Sequence, residues 1–356
     1  MSDPCGRTLL WLASGVGGSP PAGVADPALA DALLTAAVRE GLAGLLFAQA
    51  RAGGWHRRLP ERAGRRLESI YYLTVQANLR ALTTLREIAA QGVPFVLMQG
   101  AALLVTTYAD PGLRPLSDID LWVQPRDFER LASVLRRRGF DENPLTPGVF
   151  RRGEALVDVH TGLHWAERIR SSRFLFAGEP GAVQRRCVTR AWEGTTVRCL
   201  DPIDQAVYLT VHAIKHNLER LIWLADLNRL VGTWGADDWV GFRERARELG
   251  QARLGAILAY LRRTLFGLPT PVEATAGAVL TPLDAYLLRQ RRRGPLPKWS
   301  SLALLSAGNP ARQVRFAFES TFPRPEVLRQ VFRDSEACSH ARLYGLRAMQ
   351  MLGMLR

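Results

Sequence analysis

Asp118 and Asp120, in the run Ser117-Asp118-Ile119-Asp120-Leu121-Trp122-Val123, are the side chains of this chain whose type and spacing best suit chemistry. On a strand, residues two apart point the same way, so both carboxylates would share one face while Ile119 and Leu121 enter the core. Carboxylates held that close repel each other unless a cation sits between them. The pair is therefore a candidate divalent-metal site. By itself it is also what an ordinary strand ending in water would show, so its surroundings decide.

Upstream, Pro94-Phe95-Val96-Leu97-Met98 is an apolar run of strand length that breaks at Gln99-Gly100 and enters the helix-like Ala101-Ala102-Leu103-Leu104. A strand that turns into a helix gathers backbone N–H groups at the helix N-terminus, where phosphate oxygens can be held. The loop Ala109-Asp110-Pro111-Gly112-Leu113-Arg114-Pro115-Leu116-Ser117 then leads to the aspartates. Downstream, Glu154 to His160 alternates as a strand does, with Asp158 and His160 on one face.

The QGAAL turn, the YADPGLRP loop and the SDIDLWV strand together resemble the uncharacterised nucleotidyltransferase family of the polymerase-beta-like nucleotidyltransferase superfamily. The resemblance implies an α+β fold: a small mixed-sheet nucleotidyltransferase core flanked by N- and C-terminal helical regions. It implies transfer of a nucleoside monophosphate from an NTP, with ATP expected, to an acceptor with release of pyrophosphate. Asp118, Asp120 and Asp158 would be the catalytic and metal-binding carboxylates, holding two Mg²⁺ ions, with Mn²⁺ the alternative. Gln99, Gly100, Ala101, Arg114, Ser117 and Lys215 would bind the nucleotide. Arg114 and Lys215 would neutralise charge on the departing pyrophosphate. One position departs from the family pattern: Gln99 stands where Lys usually precedes the glycine. That change supports the alternative of a catalytically inactive nucleotide-binding or regulatory protein with the same fold. A third reading, an RNA-modifying or toxin-like transferase, is permitted by the charge. The acceptor could be a small molecule, a peptide, a protein or an RNA end.

The 356 residues carry 47 Lys and Arg against 33 Asp and Glu, a formal charge of +14 that favours anionic partners. The cations are mostly arginines scattered through helical segments, without the aromatic-interleaved tract of a dedicated nucleic-acid groove. Cys5, Cys187, Cys199 and Cys338 form no CxxC pair, which argues against a zinc ribbon or disulfide framework and fits a reducing cytoplasm. The early run Thr8 to Ala13 is too weak for a signal peptide, and no apolar run is long enough for membrane insertion.

Three stretches are expected: a helical lead-in over 1–90, the nucleotidyltransferase core over 91–200 and a C-terminal helical domain over 201–356. Apolar spacing predicts lead-in helices over 28–50 and 65–90, a core helix over 125–139, and helices from Asp201 to about Asn217 and from Trp239 to Leu265. Arg136-Arg137-Arg138 at a helix end suits the helix dipole. The spacings His160-x-x-x-His164 and His212-x-x-x-His216 could each pair two imidazoles, but neither has the Glu of a zinc protease. The segment from His212 to Leu227, which includes Asp226, resembles the family's downstream helical signature, in which a basic residue and a later Asp lie beside the nucleotide site; the resemblance supplies Lys215 as the basic residue.

Overall fold

Short β-branched and apolar runs, each closed by a turn residue, build the sheet at the centre of the chain. The computed structural model describes residues 4–15, 23–144, 146–163, 175–292, 294–297, 299–305, 310–332 and 339–351. Among these, β1 (Val96–Leu97), β2 (Ile119–Trp122), β3 (Asp141–Glu142), β4 (Val149–Arg152), β5 (Ala155–His160), β6 (Val188–Trp192) and β7 (Thr195–Cys199) form one mixed sheet. Its order is β3-β4-β5-β2-β1-β7-β6. The middle pairings join distant segments: β2 runs parallel to β5 and antiparallel to β1, and β1 runs parallel to β7. The edges are hairpins, β3-β4-β5 on one side and β6-β7 on the other. Helices flank the sheet before and after it, so the fold is α+β.

The two faces of the sheet differ. Leu97, Leu121, Val157 and Cys199 point into the main apolar core, which runs from Leu9 to Phe316. The opposite face carries Val96, Met98 and Trp122, which with Leu200 form a small separate cluster. Register puts Asp120, Asp158 and His160 on this second face.

The long helix Glu61–Ala89 backs the sheet and contacts β5 and β7. The helix expected over 28–50 is two, Pro27–Glu40 and Ala43–Ala52, because Gly41 ends the first in a left-handed cap at φ 77°. Likewise the stretch 239–265 divides into Ala236–Glu248 and Leu254–Phe266 around Gly250, again at φ 77°. The core helix is Phe128–Arg137, after a single 3₁₀ turn at Pro125–Asp127. At its end Arg136 pairs with Glu142 and Glu129, and Arg138 lies 3.8 Å from Glu87, so those cations serve the fold. No helix among the described residues is long and apolar enough to cross a membrane.

Candidate active site

The turn after β1 is tied to β2 by the Met98 N–H, which donates to the Asp120 carbonyl at 3.0 Å. Met98 is extended and the helix Gln99–Thr106 starts at once. Gln99 itself has φ 49°, a left-handed conformation that costs a side-chain residue about 1–2 kcal/mol. Gly100 is required by close approach: a Cβ there would lie 2.1 Å from Nη1 of Arg114 and 2.7 Å from Leu116 Cδ1. The opening amides of the helix have no intrahelical acceptor, the arrangement that can receive an anion.

Parallel pairing aligns Asp120 with Asp158 and Trp122 with His160. His160 Nε2 is 3.0 Å from Asp120 Oδ1 and 3.6 Å from Asp158 Oδ2. Asp120, Asp158 and His160 each offer a ligand atom within 4.8 Å of the others, a set that could hold a metal ion. Two carboxylates and an imidazole suit a divalent cation: the oxygens suit Mg²⁺ or Mn²⁺, and the imidazole adds affinity for Mn²⁺. The residues present therefore fit the group that the sequence implies.

Asp120 is only 4% exposed. Burial pushes its carboxyl up to about 7, helped by the charges of Asp118 and Asp158, against the hydrogen bond to His160 that favours ionisation. Gln99 Nε2 also donates to Asp120 Oδ1, at 2.7 Å. Thus the residue that replaces the usual lysine is bonded to the central carboxylate. Asp118 precedes β2 and is half-buried, its Oδ1 accepting from the exposed Ser117 Oγ at 2.7 Å. It is not one of the three clustered ligands, because the chain is still entering the strand at that point.

Arg114 differs from its expected place. Its guanidinium is 9% exposed and lies against Gly100, with Nε 3.2 Å from both oxygens of the fully buried Asp226 and Nη2 3.1 Å from one of them. Tyr108 donates its hydroxyl to the same carboxylate at 2.7 Å. An arginine spent on a buried carboxylate is not an open cation for pyrophosphate, although its charge still lies behind the phosphate turn. The loop that carries it is held from the long helix: Asn78 donates to the carbonyls of Pro111 and Arg114 at 2.6 and 2.7 Å and accepts from Leu116 N–H at 3.2 Å. Tyr71 donates to Asp110 at 2.8 Å, and a Cβ on Gly112 would lie 2.1 Å from the Tyr71 ring.

Lys215 is the last residue of the helix Pro202–Lys215 and is half-buried. Along that helix and onto its cap His216, the rings of Tyr208, His212 and His216 follow one another at 6.5 and 4.6 Å, and Trp223 lies 5.3 and 5.2 Å from the two histidines. Burial holds His212 well below the usual histidine range, with His216 and Lys215 adding repulsion; burial and Lys215 bring His216 to about 4. Both imidazoles are neutral near pH 7. His164 lies outside the described residues.

The sequence does not disclose Asn78, Tyr71, the pairing of Asp226 with Arg114 or the contact of His160 with Asp120. For His160 a signal existed, since it alternates onto the face of Asp158; for Asp226 the signal was a lone acid in the apolar run Leu221–Leu227.

A strand, tight turn and helix N-terminus beside carboxylates on adjoining strands, within an α+β chain, is the architecture of the nucleotidyltransferase class. The family model of uncharacterised nucleotidyltransferases matches residues 26–267, and the chain belongs to that family. Searches of the curated proteins and of the solved structures return no match.

Proposed function

We propose that this protein transfers a nucleoside monophosphate from an NTP, ATP first among candidates, to an acceptor and releases pyrophosphate. The observation that carries this reading is the convergence of Asp120, Asp158 and His160 within 4.8 Å, beside the helix that starts at Gln99. Asp120 and Asp158 would hold divalent cation, two Mg²⁺ ions or Mn²⁺, with Asp118 joining from the rim by turning away from Ser117. Bound cation supplies charge neutralisation at the phosphate oxygens. The amides of Gly100 and Ala101 orient the phosphates, with Gln99 and Ser117 at the edges. Lys215 neutralises the leaving pyrophosphate, and Arg114 acts from behind the turn through its charge. Asp158 orients the acceptor and takes its proton.

The contact of Gln99 with Asp120 favours a second reading, a nucleotide-binding protein without turnover. A neutral amide in place of an ammonium weakens triphosphate binding, and a donor fixed on Asp120 competes with metal. The test is incubation of the protein with each labelled NTP, Mg²⁺ and cell extract, followed by location of the label. Label transferred by wild type and lost in Asp120→Asn supports the enzyme; Mg²⁺-dependent NTP binding with no transfer to any acceptor supports the second reading. Asp158→Asn should lower kcat with little change in NTP affinity. Equal kcat in mutant and wild type would remove Asp158 from the mechanism.

A further inference from the structure

The rings of Tyr208, His212, His216 and Trp223 have no part in the mechanism above. Tyr208 and His212 on the helix Pro202–Lys215, and His216 at its cap, recur at the four-residue spacing that keeps side chains on one helical face. All three are half-buried, whereas Val211, Ala213 and Ile214 on the same helix are buried. Trp223 repeats the contrast on the helix Leu221–Leu230: it is half-buried between the buried Ile222 and Leu224, with its ring against both histidines. The rings therefore form a partly open wall rather than part of the closed core.

This wall borders the proposed site on two sides. Trp223 stands one helical turn before Asp226, whose carboxylate holds the Arg114 guanidinium that lies against Gly100 of the phosphate turn. Tyr208 packs onto the cluster of Val96, Met98, Trp122 and Leu200, on the sheet face that carries Asp120, Asp158 and His160. His212 lies between these two. It is held neutral by burial first and then by the positive charges of His216, Lys215, Arg114 and His160, so it is within electrostatic reach of both the phosphate turn and the carboxylate cluster. A flat uncharged ring that carries a polyanion suits a neutral aromatic wall in such a field.

We propose that this wall stacks the nucleobase of the NTP, that the base is a purine, and that Trp223 and His212 set the preference. The proposal rests on the nucleotidyl-transfer reading and narrows its donor substrate. Stacking needs only a π-face, and a bicyclic purine covers more of a wall of several rings than a single pyrimidine ring does. Each neutral imidazole also has one nitrogen that donates and one that accepts, which matches the mixed donors and acceptors along a purine edge. With the base on the wall, the phosphates extend to the helix start at Gln99 and the α-phosphate lies toward the carboxylates.

The experiment measures binding of the Mg²⁺ complexes of ATP, GTP, CTP, UTP and inorganic tripolyphosphate to the full chain by calorimetry. Wild type is compared with Trp223→Leu, His212→Leu and His212→Phe, and melting temperatures report folding. Wild type should bind ATP and GTP about tenfold or more tighter than CTP and UTP. In a folded leucine variant ATP should weaken about tenfold or more, while tripolyphosphate, which has no base, binds as in wild type. His212→Phe keeps a ring and should retain most of the affinity for ATP. The wild-type preference can be read even where a variant fails to fold.

Equal affinity for the four NTPs in wild type, unchanged ATP affinity in the folded leucine variants, or equal weakening of ATP and tripolyphosphate would overturn the assignment and leave nucleotidyl transfer standing. Unchanged ATP affinity with slower transfer of label would also overturn it, and would give the wall to the acceptor. Wild type that binds neither an NTP nor tripolyphosphate would instead remove the nucleotidyl-transfer reading, and the base site with it.

Discussion

Asp120 gathers most of the site's electrostatics into one side chain. Its carboxyl sits near 7 rather than the ordinary 3.8, chiefly because it is buried. Between those values the unfolded chain has lost this proton and the folded chain keeps it, so this group makes stability fall as pH rises from about 4 to 7 and level off above. Asp120→Asn should abolish that fall and raise the melting temperature of the metal-free protein above pH 7; an unchanged pH profile would show that Asp120 titrates normally. Metal binding needs the ionised carboxylate, so apparent Mn²⁺ affinity should weaken by up to about tenfold for each pH unit below 7, as calorimetry can check. Gln99→Lys puts a charge-assisted donor where a neutral one stands 2.7 Å from Asp120. It should strengthen NTP binding and bring the titration of Asp120 down. Weaker binding in that variant would mean that the Gln is adapted to its place.

At the scale of elements, the loop before β2 is held by partners far away in sequence. Asn78→Ala leaves the carbonyls of Pro111 and Arg114 without their donor, an expected loss of about 1–3 kcal/mol for buried groups left unpaired. Asp226→Ala strands a buried guanidinium and should cost about 3–5 kcal/mol. Urea titrations test both, and a loss under 1 kcal/mol in Asp226→Ala would show that Arg114 finds another partner. These contacts also mark where the sequence stopped being legible. The carboxylates could be read because strand alternation is local: SDIDLWV and ALVDVH each declare a face from within six or seven residues. Arg114 could not, because its partner lies 112 residues on and a lone Asp in an apolar helix does not name what it pairs with. The breaks at Gly41 and Gly250 were missed for a related reason, since apolar spacing resumes after each glycine and masks the left-handed cap. The edge strands β3 and β6, and β4 beside β3, are short or half-exposed and are fixed by their hairpins rather than by any apolar run of their own.

At the scale of the molecule, the helix Pro4–Ser14 packs against the helices Leu221–Leu230 and Leu254–Phe266 and buries Leu9, Leu10 and Leu12. Asn228 donates to the Ala13 carbonyl at 3.0 Å and accepts from Arg262 at 3.0 Å, so the junction is polar at its centre as well as apolar around it. Deleting residues 1–15 should lower the urea midpoint, because each buried leucine contributes about 1.5–3 kcal/mol. An unchanged midpoint would show the helix to be dispensable. The same packing has a meaning in time. During translation the helix Pro4–Ser14 leaves the ribosome long before Leu221–Leu230 exists, and at about 5–20 residues per second that interval is roughly 10–40 s. Throughout it the three leucines have only part of their native cover, from the early helices Pro27–Glu40 and Ala43–Ala52. Successful biogenesis then depends on what shields an apolar N-terminal segment while the chain is still being made, and a ribosome-bound chaperone should bind the nascent chain there first.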